Sequence, residues 1–171
     1  MARQDFVDTL VAEQAALDAF LDSLTLQQRT QPNLCGTWSA RDIVVHLSLW
    51  ARYMTTTIRA WLRHRPASDF EMWGVRKSPD LADDALNQWF IDHAKGQTFD
   101  EARGILREVH TQLIGTVELL SDEELTTPGL AIPRLGDTHE RALTQAIMSM
   151  SYGHVQHHIA DIKSSLHWHQ T

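Results

Sequence analysis

The chain has 171 residues, of which 22 are acidic and 15 are basic, so its formal net charge at pH 7 is −7. Nucleic-acid-binding domains usually carry a basic surface, and this charge predicts a protein without a nucleic-acid partner. The single cysteine, Cys35, excludes an internal disulfide and any zinc site built from cysteines alone. No segment resembles a secretion signal or a membrane span, so we expect a cytoplasmic protein without a membrane partner.

Apolar residues recur at helical spacing along most of the chain, and strand-like alternation is absent. A first helix is predicted over residues 3–24. A loop containing Pro32 and Gly36 follows, and a second helix begins at Ser39, where Ser39 and Asp42 form a capping box. Pro66 ends this helix, which carries the apolar stripe Ile43, His46, Trp50, Tyr53, Thr57 and Trp61.

The second half of the chain predicts two further long helices. A short helix over Asp80 to His93 lies in the long connection, and Thr98 with Glu101 caps the third long helix. Ser121 with Glu124 caps one more short turn, and a last helix is predicted from near Thr138 to about Leu166. Four long amphipathic helices predict an all-α four-helix bundle spanning residues 1–171 as one domain. The length of the connection between helices two and three permits a crossover.

Three histidines lie on the apolar stripes of two of these helices. His154 and His158 are four residues apart and project from one face, and His46 lies in the core-facing row of helix two. Three imidazoles with an open position are typical of a catalytic metal site. The alternative is that they are hydrogen-bonded core histidines. His157 lies about 100° around the helix from His158 and is interpreted as a flanking or surface residue.

Neighbouring side chains could support such a site. Tyr53 shares the face of His46, and its hydroxyl could donate to a bound oxyanion, although a core aromatic would have the same spacing. Asp161 lies three residues after His158 and is either a carboxylate that orients an imidazole or a solvated charge. Cys35 has no basic neighbour in sequence, and we interpret it as a loop thiol without a functional role.

Two segments carry a family resemblance. The sequence from Gly36 to Trp50, GTWSARDIVVHLSLW, resembles the G-x-W-S-x-x-D-x-x-x-H-L-x-x-W segment of the DinB-like superfamily, and HVQHH at 154–158 resembles its C-terminal H-x-x-x-H segment. Residues 86–93 through 121–125 resemble the ClbS/DfsB branch of that superfamily. The resemblance implies a four-helix bundle with a long crossover and a divalent metal, commonly zinc or nickel, on His46, His154 and His158.

The resemblance also bears on function. It implies a metal-dependent enzyme, either a hydrolase or a transferase that uses a low-molecular-weight thiol, acting on a small electrophilic molecule. Tyr53 or Asp161 would then be supporting groups. The alternative is a non-catalytic small-molecule binding or self-protection protein of the ClbS/DfsB type, without an obligatory metal. A third possibility is a structural dimer, and a homodimer is compatible with each of these functions.

Overall fold

The structure is a computed structural model that describes residues 2–73, 81–128 and 141–168, and these residues are mostly helical. The helices in chain order are α1 (Arg3–Ser23), α2 (Leu26–Thr30), α3 (Ala40–Leu62), α4 (Asp69–Trp73), α5 (Asp83–His93), α6 (Phe99–Val117), α7 (Asp122–Thr126), α8 (Leu143–Ile147) and α9 (Gly153–Trp168). A π-helical turn, Met148–Tyr152, joins α8 to α9. No strand forms in the described ranges, so the prediction of an all-α protein is confirmed.

Reciprocal capping boxes fix the start of several helices. In each box the first residue's hydroxyl accepts a backbone amide three residues on, and that residue's side chain accepts the first residue's own amide. The boxes predicted at Ser39, Thr98 and Ser121 all form. A fourth box, at Thr25 and Gln28, starts α2 and was not predicted from the sequence.

Hydrogen bonds at both ends of α3 and α6 show that these two helices run parallel. Near their starts, Arg41 Nε donates to the Gln97 carbonyl oxygen over 3.1 Å. Near their ends, Arg59 Nε donates to Thr116 Oγ1 over 2.8 Å. Two parallel neighbours cannot be joined by a short hairpin, so the chain between them must cross the length of the bundle. The predicted crossover between the second and third long helices is therefore confirmed.

Contacts of α1 give the directions of the other long helices. Arg3, at the start of α1, donates to the Leu120 carbonyl just after α6, whereas Asp18, near the end of α1, pairs with Arg103 in the first half of α6. Helices α1 and α6 are therefore antiparallel. The Lys163 ammonium lies over the Phe20 ring, and Gln156 bonds Glu13, so α1 and α9 run parallel. The four long helices thus form a bundle with two parallel pairs.

Several boundaries differ from those predicted. The extra helix expected over Asp80 to His93 is α5, which begins at Asp83, and α4 precedes it as a further short helix. Position 80, the loop residues after Pro128, and the start of the last helix near residue 138 lie outside the described residues. The last helix was predicted as a regular α-helix, and the π turn within it is a difference. None of the described helices is long and apolar enough to cross a membrane.

Candidate metal centre

Three imidazoles converge where α3 faces α9. His46 Nε2 lies 3.1 Å from His154 Nε2, and His154 Nε2 lies 2.9 Å from His158 Nε2. One nitrogen of each ring lies within 4.8 Å of the other two. Nitrogens bound tetrahedrally to one zinc ion at 2.0–2.1 Å are about 3.4 Å apart, so modest adjustment of the rings would accommodate an ion. The structure thus brings together the three histidines that the sequence analysis selected.

Local structure explains why both α9 histidines face α3. They are four residues apart, so their side chains lie one above the other on the same face of the helix. His154 follows directly on the π turn, in which the Gly153 amide donates to the Met148 carbonyl five residues earlier. A π turn contains one residue more than an α-helical turn, so it rotates the side chains of all later residues around the helix axis. The direction in which His154 and His158 point therefore depends on this turn.

Burial keeps the three rings neutral. Burial is the main cause that lowers the pKa of His46 to about 3, and the positive charges that His154 and His158 would carry act in the same direction. Burial, followed by the charge of His154, lowers the pKa of His158 to about 4. The pKa of His154 is also lowered, mainly by burial. Neutral imidazoles present lone pairs, which is the state that a metal requires of histidine.

Aromatic rings enclose His46 and His158. The Trp38 ring lies 5.0 Å from the His46 ring and 6.4 Å from the His158 ring, between centroids. Trp50 meets His46 edge-on at 6.4 Å, and its indole N–H donates to Asn87 Oδ1 over 2.9 Å. The Asn87 side chain acts to raise the pKa of His46, although His46 Nδ1 has no hydrogen bond of ordinary geometry among the described residues. The donor set that fits a metal site is therefore the three neutral Nε2 atoms, and His46 Nδ1 lies on the far side of its ring from them.

Cys35 and Asp161 meet the opposite nitrogen of His158. Cys35 Sγ donates to Asp161 Oδ2 over 3.3 Å and lies 3.6 Å from His158 Nδ1. Asp161 Oδ2 lies 3.8 Å from His158 Nδ1 and 3.5 Å from His157 Nε2. Burial raises the pKa of the Cys35 thiol to about 11, aided by the hydrogen bond to Asp161. Asp161 thus lies near His158 without a hydrogen bond of ordinary length to it, and Cys35, which was interpreted as a thiol without a role, lies beside both.

Tyr53 and His157 occupy different surroundings. Tyr53 is buried and stacks on Trp73 with centroids 4.9 Å apart, and it meets Trp50 edge-on at 5.8 Å. It is thus linked to His46 through the Trp50 ring. The His157 side chain is 72% exposed, in agreement with its interpretation as a surface residue. The side chains of the predicted tail histidines at 167 and 169, and position 139, lie outside the described residues.

Solved structures share this architecture over nearly the whole chain. The colibactin self-resistance protein ClbS, in complex with a dsDNA, is 17% identical with a TM-score of 0.71, covering 95% of this chain and 94% of that chain. DfsB, described as a Sibling Lethal Factor Precursor, is 18% identical with a TM-score of 0.77, covering 99% and 97%. An uncharacterised protein from Escherichia coli UTI89 is 12% identical with a TM-score of 0.72, covering 95% and 91%.

The ClbS complex corrects one prediction. The net charge of −7 led us to expect no nucleic-acid partner, and this expectation is wrong, because a protein of the same fold is found in complex with a dsDNA. Net charge averages over the whole surface, whereas phosphate contacts need only a local concentration of cations. Arginines do occur together around one cleft of about 180 Å³ at the end of α3, which is lined by Arg59, Arg63 and Arg65 and by Glu71, the ion-pair partner of Arg65.

The family model and the motifs lead to one assignment. No curated protein matches the chain in sequence. The model of the DinB superfamily matches residues 9–162, a range that contains both motif segments and all three triad histidines. The resemblance predicted from those segments is therefore confirmed, and the likeness to ClbS and DfsB agrees with it at the level of the fold. The chain belongs to the DinB superfamily.

Proposed function

We propose that this chain is a self-protection protein that disarms a small electrophilic molecule with a divalent metal held by His46, His154 and His158. The convergence of the three Nε2 atoms between α3 and α9 is the observation that carries the proposal. The structural likeness to a self-resistance protein supports the part that concerns self-protection. The metal would be zinc or nickel, both of which accept imidazole ligands.

The residues would divide the work as follows. A bound ion would lower the pKa of a water or of a low-molecular-weight thiol, so that a nucleophile exists near neutral pH. The three neutral imidazoles would hold the ion and leave a position open. Trp38 and Trp50 would exclude bulk water from two sides of His46. Asp161, which lies near His158 Nδ1, would fix the orientation of that ring. These roles describe a hydrolase or a thiol-dependent transferase.

Adjacent histidines on α9 provide the test of the metal site. An ion that binds only the folded protein raises its stability, by about 2.7 kcal/mol at a hundredfold excess over the dissociation constant. We expect zinc or nickel to raise the melting temperature of metal-free protein, and His154→Ala to reduce that rise. His157→Ala, whose side chain is exposed, is the matched control and should leave the rise intact. Equal rises in both variants would refute the triad.

A second candidate function is sequestration of a toxic small molecule without a metal. A cleft of about 230 Å³ lies between α3, α5 and α6, away from the triad stripe on α3. Its walls include Trp73, Trp89, Phe90 and the side chain of Arg52. The rings suit a planar ligand that stacks on them, and the Arg52 guanidinium would attract a negatively charged group on that ligand. The presence of this cleft supports a self-protection protein that binds a toxic molecule without converting it.

Turnover separates the two candidates. Metal-loaded and metal-free protein would be incubated with an excess of an epoxide electrophile, with and without a small thiol, and the product would be counted per protein molecule. Many turnovers that require metal and His154 support the enzyme. Loss of no more than one equivalent of electrophile, independent of metal but reduced by Trp89→Ala, supports sequestration.

A further inference from the structure

A second group of metal-binding side chains lies on the other side of His158. Cys35 Sγ, His158 Nδ1 and Asp161 Oδ2 are mutually separated by 3.3, 3.6 and 3.8 Å. His158 therefore offers Nε2 to the triad and Nδ1 to this second group. The three side chains are a thiol, an imidazole and a carboxylate. His158 is buried, and Cys35 and Asp161 are half-buried.

The three distances match those of ligands on a single zinc ion. Zinc bonds are about 2.3 Å long to sulfur and about 2.0–2.1 Å long to nitrogen and oxygen. Around a tetrahedral ion, a sulfur ligand therefore lies about 3.6 Å from a nitrogen or oxygen ligand, and a nitrogen ligand lies about 3.4 Å from an oxygen ligand. The observed separations differ from these values by no more than a few tenths of an ångström. Side chains that are neighbours only through packing need not have all three of these separations at once.

The loop that carries Cys35 is fixed to α9 by contacts that do not involve the thiol. Trp38 donates its amide to the Cys35 carbonyl over 3.0 Å, and the Leu34 amide donates to the Trp38 carbonyl over 2.8 Å. Gly36, within this turn, has a φ of +59°, which suits glycine. Ser165 Oγ, one helical turn after Asp161, donates to the Leu34 carbonyl over 2.9 Å. The thiol is therefore held in place before any ion arrives.

We propose that Cys35, Asp161 and His158 Nδ1 form a second metal position, which shares His158 with the triad. The ligand set of one thiolate, one imidazole and one carboxylate suits zinc or cobalt(II). Binding replaces the thiol proton by a sulfur–metal bond, and the Cys35 proton is released to solvent. When both positions are filled, His158 bridges the two ions as imidazolate and releases a second proton. This inference rests on the proposed function only through His158.

Cobalt(II) titration tests the second position directly. Thiolate ligation of cobalt(II) gives an intense sulfur-to-metal charge-transfer band in the near ultraviolet, and Cys35 is the single cysteine of the chain, so the band reports this position alone. We expect wild-type protein to bind two cobalt ions and to develop the band. Cys35→Ser should bind one ion without the band, and Asp161→Asn should weaken the band. His154→Ala should bind one ion and keep the band.

The variants separate failure of this inference from failure of the triad. If wild-type protein binds one ion with no band, and Cys35→Ser binds it equally well, the second position does not exist and the triad stands. If Cys35→Ser binds no ion while the wild-type protein shows the band, the triad fails and the second position stands.

His157→Ala is the control for Asp161, because the His157 ring also contacts that carboxylate. Loss of the band in His157→Ala would overturn the assignment of His158 Nδ1. Circular dichroism would check that each variant is folded.

Discussion

The backbone amide of Gly153 donates its hydrogen bond to the carbonyl oxygen of Met148, five residues earlier, and a Cβ on Gly153 would lie 2.8 Å from that oxygen. Real Cβ atoms essentially never approach a carbonyl oxygen so closely. Glycine is thus the residue that permits this π turn, and Gly153 immediately precedes His154, one of the three converging histidines.

We expect Gly153→Ala to lower the free energy of unfolding by about 1–3 kcal/mol, the usual cost of inserting a methyl group where no space exists. Because the substitution displaces the turn before His154, it should also weaken zinc binding. Urea unfolding and zinc titration are the measurements. Gly104→Ala, on the exposed face of α6 with nothing within 4 Å of the new Cβ, is the control. It should stabilise the protein by about 0.5–1 kcal/mol.

His110 should make the stability of the metal-free protein depend on pH. It is buried against Tyr152, and neither ring nitrogen has a hydrogen-bond partner among the described residues. Burial lowers the pKa of His110 to about 4, against about 6.5 in the unfolded chain. Between these values the unfolded chain binds more protons, so the free energy of unfolding falls as the pH decreases from 6.5 to 4. The contribution of His110 is roughly 3 kcal/mol at 1.36 kcal/mol for each pKa unit.

Comparison with His110→Phe isolates this contribution, because phenylalanine keeps the ring against Tyr152 and cannot titrate. The triad histidines also have lowered pKa values and add a loss of the same sign in both proteins. Urea unfolding at a series of pH values should therefore give a shallower dependence for the variant. Parallel curves for the two proteins would show that His110 is not protonated on unfolding in this range.

Two arginines one helical turn apart on α6 should differ in their effect on stability. Arg103 is 8% exposed and donates to the carboxylates of Asp18 and Asp22 and to the Asp18 carbonyl. The Arg107 side chain is 49% exposed and, among the described residues, donates to Asp18 alone. We expect Arg103→Ala to cost about 1.5–3 kcal/mol, as for hydrogen bonds of charged groups. Arg107→Ala should cost less than about 1 kcal/mol in the same unfolding experiment.

A similar contrast exists between neighbours on α5. Asn87 is buried and accepts the Trp50 indole N–H, whereas Gln88 is exposed and accepts the Trp38 indole N–H over 3.3 Å. Asn87→Ala leaves a buried donor without its acceptor, which should cost about 1–3 kcal/mol. Gln88→Ala should stay within about 0.5 kcal/mol. If both variants lost the same free energy of unfolding, the Asn87–Trp50 hydrogen bond would not contribute specially to the packing of α5 on α3.

The long helices could be predicted because each buries an apolar stripe, and two of them, α3 and α6, also begin with a capping box. Helix α2 was missed, since its five residues contribute no buried side chain and only Thr25 with Gln28 marks its start. The π turn left only a weak signal. The buried residues Leu143, Ile147 and Met150, and then Val155, Ile159 and Ile162, step by three or four, but Met150 and Val155 are five residues apart, with the buried Tyr152 between them. The stripe shifts at the place where the turn adds its extra residue.

In the candidate site, too, some residues could be predicted from the sequence and others could not. His154 and His158 were predictable because helix geometry places residues four apart on one face, and His46 because it interrupts an apolar stripe. Cys35 was not predictable, because its partners His158 and Asp161 are 123 and 126 residues away. A loop position has no periodicity, and only the path of the whole chain brings that thiol to α9.

The sequence separation between His46 and His154 fixes when the three histidines can meet during protein synthesis. His46 is translated 108 residues before His154, and three of the four long helices precede the second and third of these histidines. A nascent chain that has not yet released α9 from the ribosome holds one imidazole of the triad, which cannot retain an ion by itself. Metal would thus be acquired only after α9 docks, and loading would report that the bundle is closed.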